Sequence, residues 1–338
     1  MIVAFLILGV FCLIGLRHSP FHEEYLSKNQ TTMIKGIFAV IIFFSHSLQY
    51  VQISSNFMDV SFQLILRMIG QLMVAVFFFY SGYGIYYSYM NKKDYLNGFL
   101  FKRVGMTWFH FFVALCFYFV LNLVLGIEFS FKTHLLALTG WDTIGNSNWF
   151  VFDILVLYIL EFVVLKYFKY KKFGSLVLVS GLIVGLYILK PSYWYNILLC
   201  FPFGIYYAAY KPKVDSFLKN KIRYWIGFFL SFVLFLYCGI KGGLILYNVA
   251  SCLFVWLITM FTMKVQIGNK VLKWLGDYSF QIYIYMRLPM ILFKYLGWNE
   301  HVYMFFVLSF VCTLLIAWVM KCVQSKLDVR LERLVYHD

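Results

Sequence analysis

A lysine and a histidine stand eleven residues apart in one apolar segment, Lys35 to His46, which reads KGIFAVIIFFSH. Eleven residues at about 100° and 1.5 Å each predict that both side chains lie on one helix face, with the histidine roughly 16 Å deeper. Imidazole titrates near neutral pH and can accept a proton from a hydroxyl group. Because an ionisable group near the bilayer centre is costly, we predict His46 as a general base. The structural alternative is a histidine that hydrogen-bonds to a neighbouring helix.

Two carboxylates, Asp153 and Glu161, lie in a later apolar segment. Buried carboxylates need partners, and either one could orient the imidazole of His46 and stabilise its protonated form. We therefore predict both as catalytic candidates, with Asp153 as the residue that faces the acceptor. The alternative is that they pair with Arg287, Arg67 or a tyrosine.

The composition indicates a polytopic membrane protein. Of 338 residues, 63% are hydrophobic and only 13% are charged, whereas a typical soluble domain is about half apolar and a quarter charged. We predict an all-α bundle of about 11 transmembrane helices. The predicted spans are 1–16, 36–53, 63–90, 104–126, 149–168, 173–189, 193–210, 224–240, 243–263, 278–296 and 302–321.

The distribution of lysine and arginine predicts how these spans are oriented. With residues 17–35 on the cytoplasmic side, the loops on that side carry 23 of the 29 basic residues, and the opposite loops carry three. This bias predicts an N-terminus outside the cell and a C-terminus in the cytoplasm. It also accounts for the net charge of +15 without nucleic acid as a partner, and leaves membrane lipids as the expected contact.

The sequence offers no metal or redox site. It contains no CxxC pair, zinc or haem spacing, or phosphate-binding glycine pattern. Its seven cysteines lie in or beside apolar spans, where they are expected to pack as small apolar residues. They are Cys12, Cys116, Cys200, Cys238, Cys252, Cys312 and Cys322.

Three stretches together resemble the membrane-bound acyltransferase-3 family, polytopic enzymes that O-acylate cell-surface sugars and lipids. The first is the lysine, ten residues and histidine of TTMIKGIFAVIIFFSHS, and the second is FFFYSGYGI, in which Phe78, Ser81 and Gly82 match the family element. The third is the basic stretch GFLFKRVGMTW. The chain departs from the family pattern at Met106, often the second arginine of Arg-x-x-Arg. It departs again at Met286-Arg287, often leucine-histidine, where Arg287 could be a substitute cation.

The resemblance implies a domain organisation and an activity. The family core has ten spans with both ends cytoplasmic, so residues 1–34 are expected to add one helix and a linker, 35–321 to form the acyltransferase domain, and 322–338 to form a cytoplasmic tail. The residue usage, rich in Lys, Ile, Phe and Tyr, suggests an AT-rich bacterial genome, so the enzyme is expected in a bacterial cell membrane. It moves an acyl group, most simply acetyl, from cytosolic acyl-CoA to a sugar hydroxyl of an extracytoplasmic or lipid-linked glycan. Acyl-CoA is a donor substrate here, and no bound cofactor is expected.

The resemblance also implies roles for residues near the predicted cytoplasmic mouth. Lys35, Lys102 and Arg103 are candidates to contact the phosphates of acyl-CoA, and Arg103 is preferred because guanidinium binds phosphate with two parallel hydrogen bonds. Ordinary positive-inside anchoring is the alternative for each. Ser81 and Gly82 are candidates for a thin wall beside the acyl-pantetheine arm, or for close packing of two helices.

Two other functions compete with the acyltransferase interpretation. A transporter or flippase for a lipid-linked glycan or small molecule could use His46, Glu161 and Arg287 as a proton or substrate relay. The sequence shows no internal repeat of the kind that many transporters have. A non-catalytic scaffold is disfavoured because it has no need of costly ionisable groups inside the membrane.

Overall fold

The computed structural model describes Gly9, residues 14–52 and residues 57–336, so that most of the predicted helix over 1–16 lies outside the described residues. The described chain is all-α, with one two-residue strand pair. Its helices are α1 (Lys28–Ser47), α2 (Phe57–Asn91), α3 (Met106–Leu125), α4 (Phe131–Leu138), α5 (Trp149–Tyr167), α6 (Lys171–Leu189), α7 (Cys200–Leu218), α8 (Lys221–Lys241), α9 (Leu244–Lys264), α10 (Lys270–Asp277), α11 (Ser279–Tyr285), α12 (Arg287–Tyr295) and α13 (Val302–Tyr336).

Short irregular segments join several of these helices. A π-helix, Leu100–Gly105, leads directly into α3, and 3-10 turns precede α7 and α13 at Ser192–Trp194 and Trp298–Glu300. Strands β1 (Arg17–His18) and β2 (Val265–Gln266) pair antiparallel and tie the segment before α1 to the end of α9.

Six helices in the described part of the chain are long and apolar enough to cross a membrane. They are Asp59–Asn91, Leu100–Leu125, Lys171–Leu189, Lys221–Lys241, Leu244–Lys264 and Val302–Arg333. Helices α1, α5 and α7 are of similar length but carry more polar or charged residues, of which Gln30 and Thr32 of α1 and Asp153 and Glu161 of α5 are buried. The all-α membrane class is confirmed, and the number of spans stays a prediction.

Helix α1 differs from the predicted segment 36–53 at both ends. It begins earlier, at Lys28, where the hydroxyl of Ser27 accepts a hydrogen bond from the backbone N–H of Gln30 at 3.4 Å. It ends at Ser47, and the following backbone N–H groups close tight turns. His46 is therefore the penultimate residue of α1, and its predicted position near the middle of a span is corrected to the end of the helix.

The predicted span 278–296 is broken into α11 and α12 at Met286. Pro289 has no backbone N–H, so the carbonyl of Tyr285 cannot receive the usual helical hydrogen bond from four residues ahead. The break makes Arg287 the first residue of α12. The last predicted span, 302–321, instead continues as one helix to Tyr336.

Two glycines allow helices α2 and α7 to approach at backbone distance. A Cβ atom added at Gly82 of α2 would overlap the carbonyl oxygen of Phe201 in α7, and one added at Gly204 of α7 would overlap that of Phe79. In a membrane, where lipid removes the hydrophobic drive between helices, such close packing is a main source of association. Gly82 is therefore a packing residue, which was the structural alternative to its predicted role beside the donor.

We predict that Gly82→Ala destabilises the protein and that Gly84→Ala does not. An added methyl group at Gly82 must push α2 from α7, at a cost of about 1–3 kcal/mol, whereas no atom lies within 4 Å of a Cβ at Gly84. Thermal unfolding of the two variants in the same detergent measures the difference. Equal midpoints for Gly82→Ala and wild type would contradict the assignment.

Candidate active site

A cavity of about 300 Å³ lies within the bundle, between α1, α2, the start of α3, α5 and α11. Most of its wall is apolar or aromatic, with two cations and two serines among the lining residues. Its lining includes Lys35, Ala39, Ile42, Tyr80, Ser81, Gly84, Arg103, Phe150, Tyr158, Tyr283 and Met286. We refer to this space as the inner cavity.

One face of α1 runs along the inner cavity. Lys35, Ala39 and Ile42 line it, and they stand at the spacing of one helix face. His46 continues the same face by one further turn. Lysine and histidine thus lie at opposite ends of one wall, roughly 16 Å apart along the helix.

A second and larger cavity, of about 710 Å³, adjoins the inner cavity. The two share four lining residues: Lys35, Tyr80, Gly84 and Arg103. We call the larger space the basic vestibule, because Lys28, Lys35, Arg103 and Lys211 line it. Glu23 and Glu24 also line it. In the described part of the chain Lys35 forms no ion pair, so its charge is open to a ligand.

Arg103 and Lys102 are neighbours in the π-helix but face different surroundings. Arg103 lines both cavities, and its guanidinium carbon lies 6.0 Å from the ring centre of Tyr158. Lys102 lines neither cavity, and its ammonium lies 3.5 Å from Glu332 near the end of α13. The structure thus separates two residues that the sequence grouped as candidates for donor phosphate.

Ser81 and Gly82 are likewise separated by the helix. The hydroxyl of Ser81 lines the inner cavity, 3.4 Å from the hydroxyl of Tyr158. Gly82 faces Phe201 of α7, as described above. Only Ser81 can touch a molecule in the cavity.

Two aromatic rings close the end of the inner cavity that lies opposite the basic vestibule. The rings of Phe150 and Tyr283 meet edge to face with centres 5.4 Å apart, and both residues line the cavity. The ring of His46 in turn meets Tyr283 edge to face, with centres 6.2 Å apart. Tyr283 therefore stands between the cavity and the histidine.

Arg287 is the residue that directly contacts His46. Its Nη2 lies 2.9 Å from Nδ1 of His46 and 2.6 Å from Oε1 of Gln49. Its Nη1 and Nε donate to the hydroxyls of Tyr50, at 3.4 Å, and Ser147, at 3.1 Å. A guanidinium group can only donate, so Nδ1 accepts and the neutral imidazole carries its proton on Nε2.

Neither predicted carboxylate contacts His46 among the described residues. Asp153 is fully buried on α5, and within that part of the chain neither of its carboxyl oxygens has a hydrogen-bond partner. Glu161 is buried further along α5, beside Ser175 and Lys171 of α6. The alternative pairing with Arg287 is not formed in the described structure either, and the side chain of Arg67 lies outside it.

Four residues around His46 escaped the sequence analysis: Gln49, Tyr50, Ser147 and Tyr283. The first two follow the end of α1, and Ser147 lies in the loop before α5. No spacing rule connects them, because they come from three distant parts of the chain that meet only in the tertiary fold. Pro289 was the signal in the sequence for the break between α11 and α12, which makes Arg287 the first residue of α12.

The chain matches the acyltransferase-3 family model, described as an acyltransferase domain, over residues 31–322. No curated protein and no solved structure matches the chain. Since the match covers most of the chain, the protein belongs to this family, and it is a membrane acyltransferase.

We predict that a cysteine at position 81 reacts with a small water-soluble maleimide and that one at position 175 does not. Ser81→Cys places the thiol in the inner cavity, whereas Ser175→Cys buries it between α5 and α6. Peptide mass spectrometry reads the modified site in folded protein, so the native cysteines can stay. An unreactive thiol at position 81 would show that the two cavities are not joined.

Proposed function

We propose that this member of the acyltransferase-3 family transfers an acetyl group from cytosolic acetyl-CoA to a sugar hydroxyl of an extracytoplasmic or lipid-linked glycan. The observation that carries the proposal is the path from the basic vestibule, through the inner cavity, to Tyr283 and His46. A donor with a highly charged head and a long narrow arm fits such a path. The acceptor approaches His46 from the other side of the bundle.

The charges of the vestibule suit the head group of acyl-CoA. Lys28, Lys35 and Arg103 border a space large enough for a nucleotide, and such cations bind phosphate oxygens through charge-assisted hydrogen bonds. The fourth cation, Lys211, already lies 2.5 Å from the carboxylate of Asp215. The acidic Glu23 is already neutralised, since the ammonium of Lys219 lies 2.8 Å from its carboxylate and holds the pKa of that carboxyl below its usual range. The basic character of the vestibule therefore persists at neutral pH.

The inner cavity suits the acyl-pantetheine arm. Its wall is largely apolar, with Ser81 and the hydroxyl of Tyr158 as hydrogen-bonding groups along it. Lys35 and His46 are spaced along α1 so that a donor held by its phosphates can extend its thioester toward Tyr283. Holding the thioester and the hydroxyl in contact is itself a large part of such catalysis.

His46 is the proposed general base. It takes the proton of the acceptor hydroxyl as the oxygen bonds to the thioester carbonyl carbon; the carbon–sulfur bond then breaks, and the CoA thiolate leaves with that proton as the free thiol. The imidazole lone pair lies on Nδ1, where Arg287 now donates. Catalysis therefore requires Arg287 to release Nδ1. Asp153 is proposed to assist on the acceptor side, and Glu161 remains a weaker candidate because of its place beside α6.

This assignment places the basic vestibule at the cytoplasmic face of a bacterial cell membrane. The donor is made in the cytoplasm, and the bias of lysine and arginine favours the same orientation. The transfer then solves a problem of location, because the donor and the acceptor lie on opposite sides of the membrane.

We predict that His46→Gln lowers transfer of labelled acetyl from acetyl-CoA to a surface-glycan extract by a factor of about 10² to 10⁴, the usual contribution of a general base. Glutamine can still accept a hydrogen bond from Arg287, so the variant is expected to fold. His134→Gln is the control, because His134 lines neither cavity; its Nδ1 lies 3.0 Å from the carbonyl oxygen of Ser130, and its ring contacts Phe119 and Phe129. Full activity of a folded His46→Gln protein would show that His46 is not the general base.

The same assay tests the alternative interpretation as a transporter. A wild-type protein that neither binds nor turns over acetyl-CoA, while His46→Gln abolishes flux of a substrate in proteoliposomes, would favour transport. Such a result would point to the helix break at Met286 in the described structure, because transporters often bind their substrate where a helix is interrupted.

We predict that Arg103→Gln raises the KM for acetyl-CoA about tenfold or more, with little change in kcat, because a charge-assisted hydrogen bond contributes about 1.5–3 kcal/mol. Lys102→Gln is a matched control one residue away, with its ammonium near Glu332 and outside both cavities. Initial rates over a range of donor concentrations measure both variants. Equal increases in KM from the two substitutions would show that Arg103 contributes only to the overall positive charge and makes no specific contact with the donor.

A further inference from the structure

We propose that the acceptor glycan carries an anionic group, a carboxylate or a phosphate, that binds Arg287 and draws it away from His46. This inference rests on the proposed function and names the class of acceptor. Binding of the correct acceptor would thus supply the base with its free lone pair. A neutral glycan would leave Nδ1 of His46 engaged.

Within the part of the chain that the structure describes, the positive charge of Arg287 has no counter-ion. Its hydrogen-bond partners are the neutral side chains of His46, Gln49, Tyr50 and Ser147. Among the described residues no carboxylate forms an ion pair with it. A half-buried cation satisfied only by neutral acceptors is a site at which an anion gains a full charge-assisted interaction.

His46 cannot accept the hydrogen bond from Arg287 and act as a general base at the same time, because both use the lone pair on Nδ1. The lone pair on Nδ1 cannot accept a hydrogen bond from Nη2 and a proton from a hydroxyl at the same time. Arg287 must therefore move before His46 can act. A carboxylate or phosphate can take both N–H groups of the guanidinium edge, which is a stronger arrangement than its present bonds to neutral groups.

An anion on Arg287 would also favour the positive charge that forms on His46 during acyl transfer. When His46 takes the proton it becomes an imidazolium, and a second cation within hydrogen-bond distance opposes that state. An anion bound to Arg287 compensates the guanidinium charge and so removes the opposition. The same anion that releases the lone pair therefore also makes the protonated histidine easier to form.

The surroundings favour a sugar as the carrier of the anion. Trp149 stands two residues after Ser147, which binds Nε of Arg287, and its ring centre lies 6.2 Å from that of the partly exposed Tyr193. Beside them the ammonium of Lys190 stands 3.9 Å from the ring centre of Trp141 and 4.3 Å from that of Trp194. Aromatic faces with a polar edge pack on sugar rings, and Lys190 adds a second cation near the same end of the bundle.

The first test uses an acidic surface-glycan extract as acceptor in three forms: native, with its carboxyl groups chemically reduced, and dephosphorylated. Wild type is expected to label the native extract and to lose tenfold or more on the form that lacks the recognised anion. Arg287→Gln is expected to label all three forms equally and weakly. Lys294→Gln, a charge removed from the exposed side of the same helix, should behave as wild type. Equal labelling of the three forms by wild type would overturn the proposal.

The second test does not depend on acyl transfer. In protein labelled with ¹⁵N-histidine and held in nanodiscs of zwitterionic lipid, the Nδ1 signal of His46 is identified by its loss in His46→Gln. The native extract should shift this signal toward a free acceptor nitrogen, and the neutralised extract should not. A shift in this binding test with no label transferred would support the anion site while refuting the proposed activity.

Two outcomes of the second test would overturn the anion site itself. One is an Nδ1 signal that the native extract leaves unchanged. The other is a shift produced by anionic phosphatidylglycerol in the nanodisc without any glycan, which would assign Arg287 to lipid.

Discussion

The architecture depends on two places where helix backbones touch. Gly36 of α1 and Gly276 of α10 lie against the backbone of the opposite helix, and Gly82 and Gly204 join α2 to α7 in the same way. Lipid offers no hydrophobic drive for helices to associate, so contacts of this kind supply van der Waals energy that larger side chains would prevent. Helices α1 and α2 touch at one end, where Gly70 lies against Ser45 and the rings of Phe44 and Phe62 meet with centres 6.5 Å apart, and they separate toward the other end. The inner cavity occupies that space.

The two ends of the inner cavity differ in the ionisable groups that lie near them. Lys35 and Arg103 lie where it meets the basic vestibule, and His46 with Arg287 lies beyond Tyr283. Ionisable groups are expensive in an apolar bundle, and here they lie along a path, with no carboxylate in an ion pair with Lys35, Arg103 or Arg287 among the described residues. The arrangement separates two tasks, since one end can hold a charged donor and the other can handle a proton. The apolar wall between them suits the proposed thioester donor, because such a wall disfavours the water that would compete for the thioester.

Much of this could be predicted from the sequence because it follows from composition and helical periodicity. Hydropathy indicated the membrane class, and the spacing of Lys35 and His46 placed both on the face of α1 that borders the cavity. What failed depended on tertiary contacts. Periodicity cannot show that α1 ends at Ser47, that the span after Tyr278 breaks at Met286, or that the chain brings Ser147 to Arg287. Periodicity also cannot show that Ser81 lines a cavity and Gly82 does not, or that Arg103 does and Lys102 does not. That difference depends on which other parts of the fold pack against each residue.

The pair formed by His46 and Arg287 sets this chain apart within the family pattern that it resembles, where the second position is often histidine. A second histidine could share a proton with the first, because imidazole both donates and accepts. Guanidinium cannot accept, and it stays charged at any physiological pH. A relay between the two positions is therefore closed to this chain. The proposed base must therefore be freed by movement of Arg287 rather than by transfer of a proton, and an anion on the acceptor would favour that movement. Under this proposal, the arginine ties the reactivity of His46 to the chemical nature of the molecule that binds beside it.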